Sequence, residues 1–231
     1  MNVRVNLLAI FVLSICSTCA HAQFDTVINL PENPNSPNPS GFSGNSIGSD
    51  QSIGGVDGET TQLNVSNGGT IGFNFEANSG AEVNISGGTV DSGFDAESGS
   101  TVNISGGEVG IFFDAFSGST VNISGGTFGS LFDAGDGSTI NISGGEFGNS
   151  FTAEDGSTIN ISGGKFGNDF DAFSGSSVSI SGGDSYSMVV QLMISPLLSP
   201  LAMEMFLLER WQMVLHLFFQ QPISTVSVGS T

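Results

Sequence analysis

Between Asn84 and Val178 the chain repeats every 19 residues without insertion or deletion. Each copy runs Asn-Ile-Ser-Gly-Gly, a short Val or Phe stretch, Phe-Asp-Ala or a close variant, then Gly-Ser-Thr-Val or a close variant. A looser 20-residue copy, Asn64 to Val83, precedes them, and Ser179-Ile-Ser-Gly-Gly183 opens another. A unit this short cannot enclose a core of its own, so successive copies must stack and bury their apolar faces on one another.

One copy, Asn122 to Ile140, shows what the unit is. Ile123, Phe128, Phe132, Ala134 and Ile140 occupy positions that stay apolar in every 19-residue copy. Ile140 and Ile142 are two apart, as are Phe132 and Ala134, with polar residues between them. Period two is the signature of strands with one face buried. A helical period fails because the glycines break every i, i+3, i+4 series. Gly125, Gly126, Gly129 and Gly137 divide the copy into three extended pieces, glycine being suited to tight positive-φ corners. The expected fold is therefore all-β, a single-stranded parallel β-helix (β-solenoid) with 19-residue rungs and three short strands per rung. Rungs lie about 4.8 Å apart in such a stack, so each position becomes a column. Ile85, Ile104, Ile123, Ile142, Ile161 and Ile180 are expected inside, with Phe94, Phe113, Phe132, Phe151 and Phe170 on another wall. Ala96, Ala115, Ala134, Ala153 and Ala172 fit a narrow corner.

The first residues read as an export signal. Met-Asn-Val-Arg, an apolar run from Leu7 to Ile15 and Ala20-His21-Ala22 before Gln23 make a secretory signal peptide over 1–22, cleaved after Ala22, too short for a span. The expected location is secreted, extracellular or at the cell surface. Cys16 and Cys19 fall within the signal, which leaves no thiol chemistry or disulfide to the mature chain. Residues 23–40, with Pro31, Pro34, Pro37 and Pro39, read as a stiff polar lead-in without a core of its own. Residues 41–63 read as irregular capping rungs and 64–183 as the β-helix.

Residues 184–231 depart from this vocabulary. Five of the six Met, the single Tyr and the single Trp lie there. Met188 to Gln221 is apolar but broken by Pro196, Pro200, Glu204, Glu209 and Arg210, so no membrane span is expected. Read from the third base of each codon, Gln212-Met-Val-Leu-His216 can encode Asp-Gly-Ser-Thr, the repeat's own corner phrase. The expectation is a frameshifted tail on what is a fragment of a longer repeat protein; a genuine membrane-associating or pairing segment is the alternative.

With 22 acidic against 3 basic residues the formal charge is −19. Such a polyanion excludes nucleic acid and anionic membrane as partners and leaves a polysaccharide or cell-surface partner. Residues 23–183 contain no His, Tyr, Trp or Met, so carboxylates alone remain as general bases. Asp95, Asp114, Asp133 and Asp171 share a column interrupted by Thr152. Carboxylates about 5 Å apart repel by roughly 1 kcal/mol or less in water. The column is either a calcium-binding ladder or, as favoured here, a solvated one screened by salt. Paired carboxylates also serve glycoside hydrolysis, but an Asp in rung after rung reads as architecture. Thr101 and Asn103, Thr120 and Asn122, Thr139 and Asn141, and Thr158 and Asn160 form an outward Thr-x-Asn array. That face is either a ligand array for ice, mineral or glycan or a hydrogen-bonded asparagine ladder. The Asn-Ile-Ser phrase is also a glycosylation sequon, a recurrence the repeat itself explains.

From about 64 to 183, the Asn-Ile-Ser-Gly-Gly phrases and the period resemble the pectate-lyase-like right-handed β-helix group, particularly secreted bacterial repeat proteins. The resemblance implies fold more than activity. Polysaccharide lyases and hydrolases of that group use Asp clusters with Lys or Arg, and here only Lys165 is at hand. The expected function is a secreted or cell-surface structural and adhesion module, neither enzyme nor cofactor protein. The alternatives are a β-helix polysaccharide lyase or hydrolase, and a binder of ice or glycan surfaces.

Overall fold

The computed structural model describes residues 24–32, 34, 37–38, 44–55, 59–185, 190–192 and 226–227. Over these the protein is an all-β parallel solenoid. Fourteen strands form one sheet and eight a second, and no helix occurs among the described residues. The repeat period sets the register. Thr101, Thr120, Thr139, Thr158 and Ser177 pair in succession, 19 residues apart, while Asn64 pairs with Asn84 at 20. No helical period competes, and each rung satisfies its backbone through its neighbours.

The three extended pieces are visible as Thr139–Ile142, Glu146–Phe147 and Phe151–Ala153. In the preceding rungs the first two merge into one bent strand, Thr101–Val109 and Thr120–Phe128, with register shifts at the Gly-Gly corner. Two different constraints select the glycines there. Gly126 has φ +99, a region most side chains avoid, whereas a Cβ on Gly125 would lie 2.5 Å from the carbonyl oxygen of Ser105.

The core is a set of columns. Ile85, Ile104, Ile123, Ile142 and Ile161 are buried, as are Phe94, Phe113, Phe132, Phe151 and Phe170 and the five alanines of the corner; Ile180 is partly covered. Phe94, Phe113, Phe132, Phe151 and Phe170 form one stack with centroids 4.7–5.0 Å apart. Phe128, Phe147 and Phe166 form a second at 4.7 Å, meeting the first edge to face. Rung spacing thus coincides with the stacking distance favoured by aromatic rings.

The N-terminal end departs from the expectation of a coreless lead-in. Thr26–Leu30 is the first strand of the stack and pairs with Thr61–Val65, with Ile28 and Leu30 fully buried. Its alternation is too short to stand out against the flanking prolines. Asn38 lies over the open edge. Its Oδ1 accepts from Asn29 N at 2.7 Å and its Nδ2 donates to Asn29 O at 2.8 Å, while Glu32 accepts from Asn38 N and Gly44 N. These groups stand in for a missing rung.

At the other end Asp184–Ser185 and Val190–Leu192 continue the two sheets in parallel, and Val226–Ser227 pairs antiparallel with the strand Ser177–Ile180. The expected signal peptide and most of the expected frameshifted tail lie outside the described residues.

Candidate functional site

Outward columns are the only parts of a solenoid available for chemistry, and three stand out. The first is the asparagine column. Asn103 Nδ2 donates to Asn84 Oδ1, Asn122 to Asn103, Asn141 to Asn122 and Asn160 to Asn141, each at 2.9 Å. The series extends at 3.1 Å from Asn84 to Asn64 and from Asn64 to Asn29. The strand alternation holds each amide at the same height in its rung, so the side chains tie rung to rung as the backbone does. The asparagines of the expected array thus form a hydrogen-bonded ladder. Thr101, Thr120, Thr139 and Thr158 are half-buried in the neighbouring column. At its N-terminal end the ladder is braced by Glu82, which accepts from Asn84 and Gln62 at 2.9 Å.

Beside this ladder runs a groove of about 580 Å³, walled by the Asn column and by Ser86, Ser105, Ser124, Ser143 and Ser162. Each serine hydroxyl donates to a carbonyl of the preceding rung, as Ser143 does to Ile123 O at 3.3 Å. The groove is continuous along the stack and lined by the Asn amides, the Ser hydroxyls and the isoleucines that stand between them in the sequence. It is suited to an extended polar ligand rather than to a single reacting bond.

The second column holds the carboxylates. Asp95, Asp114, Asp133, Thr152 and Asp171 are brought into register on the second sheet, with Glu76 next below Asp95. The expectation of a solvated ladder needs correction here, since Asp95, Asp114 and Asp133 are half-buried and desolvation is the main cause of their shifts. Asp95 is pushed up to about 6, first by burial and then by the charges of Asp114, Glu97 and Glu76. Burial also raises Asp114, and burial with the Asp114 charge raises Asp133, whose Oδ1 is buried without a hydrogen-bond partner. Successive carboxylates stay on separate rungs. Among the described residues no three or more carboxylate, His or Cys groups are placed to hold one metal ion.

The third column is one the sequence did not announce. Large apolar side chains stand on the outer surface at Ile111, Phe112, Phe116 and Leu131, between 41 and 49% exposed. Phe112, Asp114 and Phe116 alternate with buried Phe113 and Ala115, so the outer edge of this rung reads Phe-Asp-Phe. Lys165, the cation of the repeats, donates to Glu146 at 2.7 Å. Glu146 and Lys165 pair on neighbouring strands of the first sheet, away from the Asp column of the second.

No protein-family model matches the sequence, and no curated protein or solved structure is significantly similar to it. No helix among the described residues is long and apolar enough to cross a membrane.

Proposed function

We propose that the protein is a secreted or cell-surface structural and adhesion module, a rigid solenoid that presents repeated side-chain columns and carries no catalytic step. The observation that supports this reading best is the outward column from Glu82 through Thr101, Thr120, Thr139 and Thr158 to Ser177, which keeps its register in every rung. A catalytic cleft requires convergent, unequal groups at one place, whereas each rung here offers nearly what the last one did. The resemblance to secreted bacterial β-helix repeat proteins and the −19 charge agree with it. Exposing the purified protein to a panel of acidic and neutral polysaccharides tests the claim. No release of reducing ends or unsaturated products is expected, and turnover that is lost in Asp114→Asn would overturn it.

A second reading, a glycan-binding array, is favoured by the groove between the Asn and Ser columns. Its amides and hydroxyls match the donors and acceptors of sugars. Under this reading, retention on an immobilised polysaccharide weakens in Ser124→Val and Ser143→Val, two changes on the groove wall.

A further inference from the structure

One column of the repeat adopts a left-handed backbone throughout. Asn74, Gly93, Phe112, Leu131, Ser150 and Asp169 all have positive φ, Phe112 at 59° and Leu131 at 67°. Glycine and asparagine accept that region readily; phenylalanine and leucine do not. Gly93 shows that the fold itself needs no side chain at this position. The core is filled by the next residues along, Phe113 and Phe132, and the side chains of Phe112 and Leu131 stand 49 and 41% exposed. Two adjacent rungs therefore carry bulky apolar residues that strain the backbone and meet water. Strained residues that folding does not require point to a function, and Ile111 and Phe116 of the same rung as Phe112 are likewise exposed.

The charge of the patch indicates what covers it. Asp114 is the half-buried residue of the strand Phe113–Ala115, two residues from exposed Phe112 on one side and from exposed Phe116 on the other. Asp133, two residues after Leu131, pairs with Asp114 one rung away. Carboxylates set among apolar side chains interact strongly with an incoming cation, because little water competes there. Exposed aromatic faces add an attraction for guanidinium or ammonium groups. We infer that this face docks a cationic, apolar polypeptide segment, its Arg or Lys side chains meeting Asp114 and Asp133 while its apolar side chains cover Phe112, Phe116 and Leu131. The inference rests on the adhesion reading above and names the chemistry of its partner.

Because the whole chain is acidic, the test must separate this patch from diffuse attraction. A fluorescent peptide of alternating Leu and Arg is titrated against the full-length protein at physiological salt, and anisotropy is followed. Phe112→Gly with Leu131→Gly leaves every charge in place and relaxes the backbone, so the fold survives; a tenfold or greater loss of affinity is expected. Asp114→Asn should weaken binding severalfold, and Val27→Ser, an exposed apolar residue on the first strand, should change nothing. A peptide with Ser for Leu should bind at least tenfold more weakly. Undiminished binding by the double glycine variant overturns the proposal, as does equal binding of a peptide with Glu for Arg. Phe112-dependent capture of phosphatidylcholine vesicles without peptide binding would overturn it in favour of a membrane surface. Failure here removes the partner chemistry alone, since the non-catalytic reading falls only to polysaccharide turnover.

Discussion

At the scale of single residues, the solenoid separates side chains that look equivalent in composition. Phe132 touches stacked rings above and below and a second stack at its edge, so truncation to Ala opens a cavity on four sides. A loss of about 3–5 kcal/mol is expected for Phe132→Ala. Asn141→Ala removes two side-chain hydrogen bonds on a half-buried surface and should cost about 1 kcal/mol. Urea denaturation of both variants distinguishes them, and equal midpoints would mean that inside and outside are exchanged. Leu131→Gly should move the other way. A left-handed conformation costs a branched residue roughly 1–2 kcal/mol, and the extra freedom of glycine when unfolded offsets part of this. A stability gain of up to about 1 kcal/mol, read as a raised midpoint, is expected, and a lowered midpoint would show that Leu131 contributes packing within the fold. Nothing in the sequence marked this column. Phe112, Leu131 and Ser150 share that backbone conformation but no chemistry, and only Asn74, Gly93 and Asp169 belong to the types that signal it.

At the scale of the strand and its corner, the spacing of apolar residues was sufficient to place the inner columns. The Ile, Phe and Ala series all proved to be inside because a period of two leaves no other choice once one face is buried. Polar columns were less legible. Ser100, Ser119, Ser138 and Ser157 are buried at the turn after Phe-Asp-Ala, where Ser119 and Ser157 donate to the carbonyls of Phe116 and Glu154 at 2.6 Å. Alternation predicts which face a strand residue takes but not how tightly a turn closes over it. The Gly-Gly corner is a property of two rungs rather than one. Gly125→Ala places a methyl against the Ser105 carbonyl, so it should separate neighbouring rungs and lower stability, although backbone propensity alone would favour Ala over Gly by about 0.5–1 kcal/mol. Ser124→Ala, one position earlier, loses a single 3.5 Å contact and should be nearly silent. Comparable thermal shifts for the two would refute the close-approach argument.

Across the whole molecule, the acidic balance and the half-buried carboxylates act in the same direction. Burial raises the folded-state pKa of Asp95, Asp114 and Asp133 above the ordinary 3.8, with Asp95 at about 6. A raised carboxylate pKa means that the folded state binds protons more tightly than the unfolded one. Its contribution is complete below the unfolded value and is lost as pH rises through the folded value. Relief of self-repulsion in a chain of net charge −19 adds to it. The melting temperature should therefore rise as pH falls from 7 to about 5. Asp95→Asn should flatten the profile most, and a protein that is less stable at pH 5 than at pH 7 would contradict this picture. The carboxylate column was plain from the repeat, but its half-burial was not, because that depends on how closely the neighbouring rungs pack around each Asp, which the period does not carry.

The asparagine ladder has a direction. Every amide from Asn160 back to Asn64 donates toward its N-terminal neighbour, and every one from Asn141 back to Asn29 accepts from its C-terminal neighbour. Group dipoles so arranged add head to tail and polarise one another, so the rod has two electrically unlike ends quite apart from its net charge. The sequence ends the series where Ser179 pairs with Asn160, and Asn38 closes the backbone of Asn29 at the far end. A reversed amide would set like groups against each other, and this gives the solenoid axis an arrow that the sheet hydrogen bonds alone do not provide.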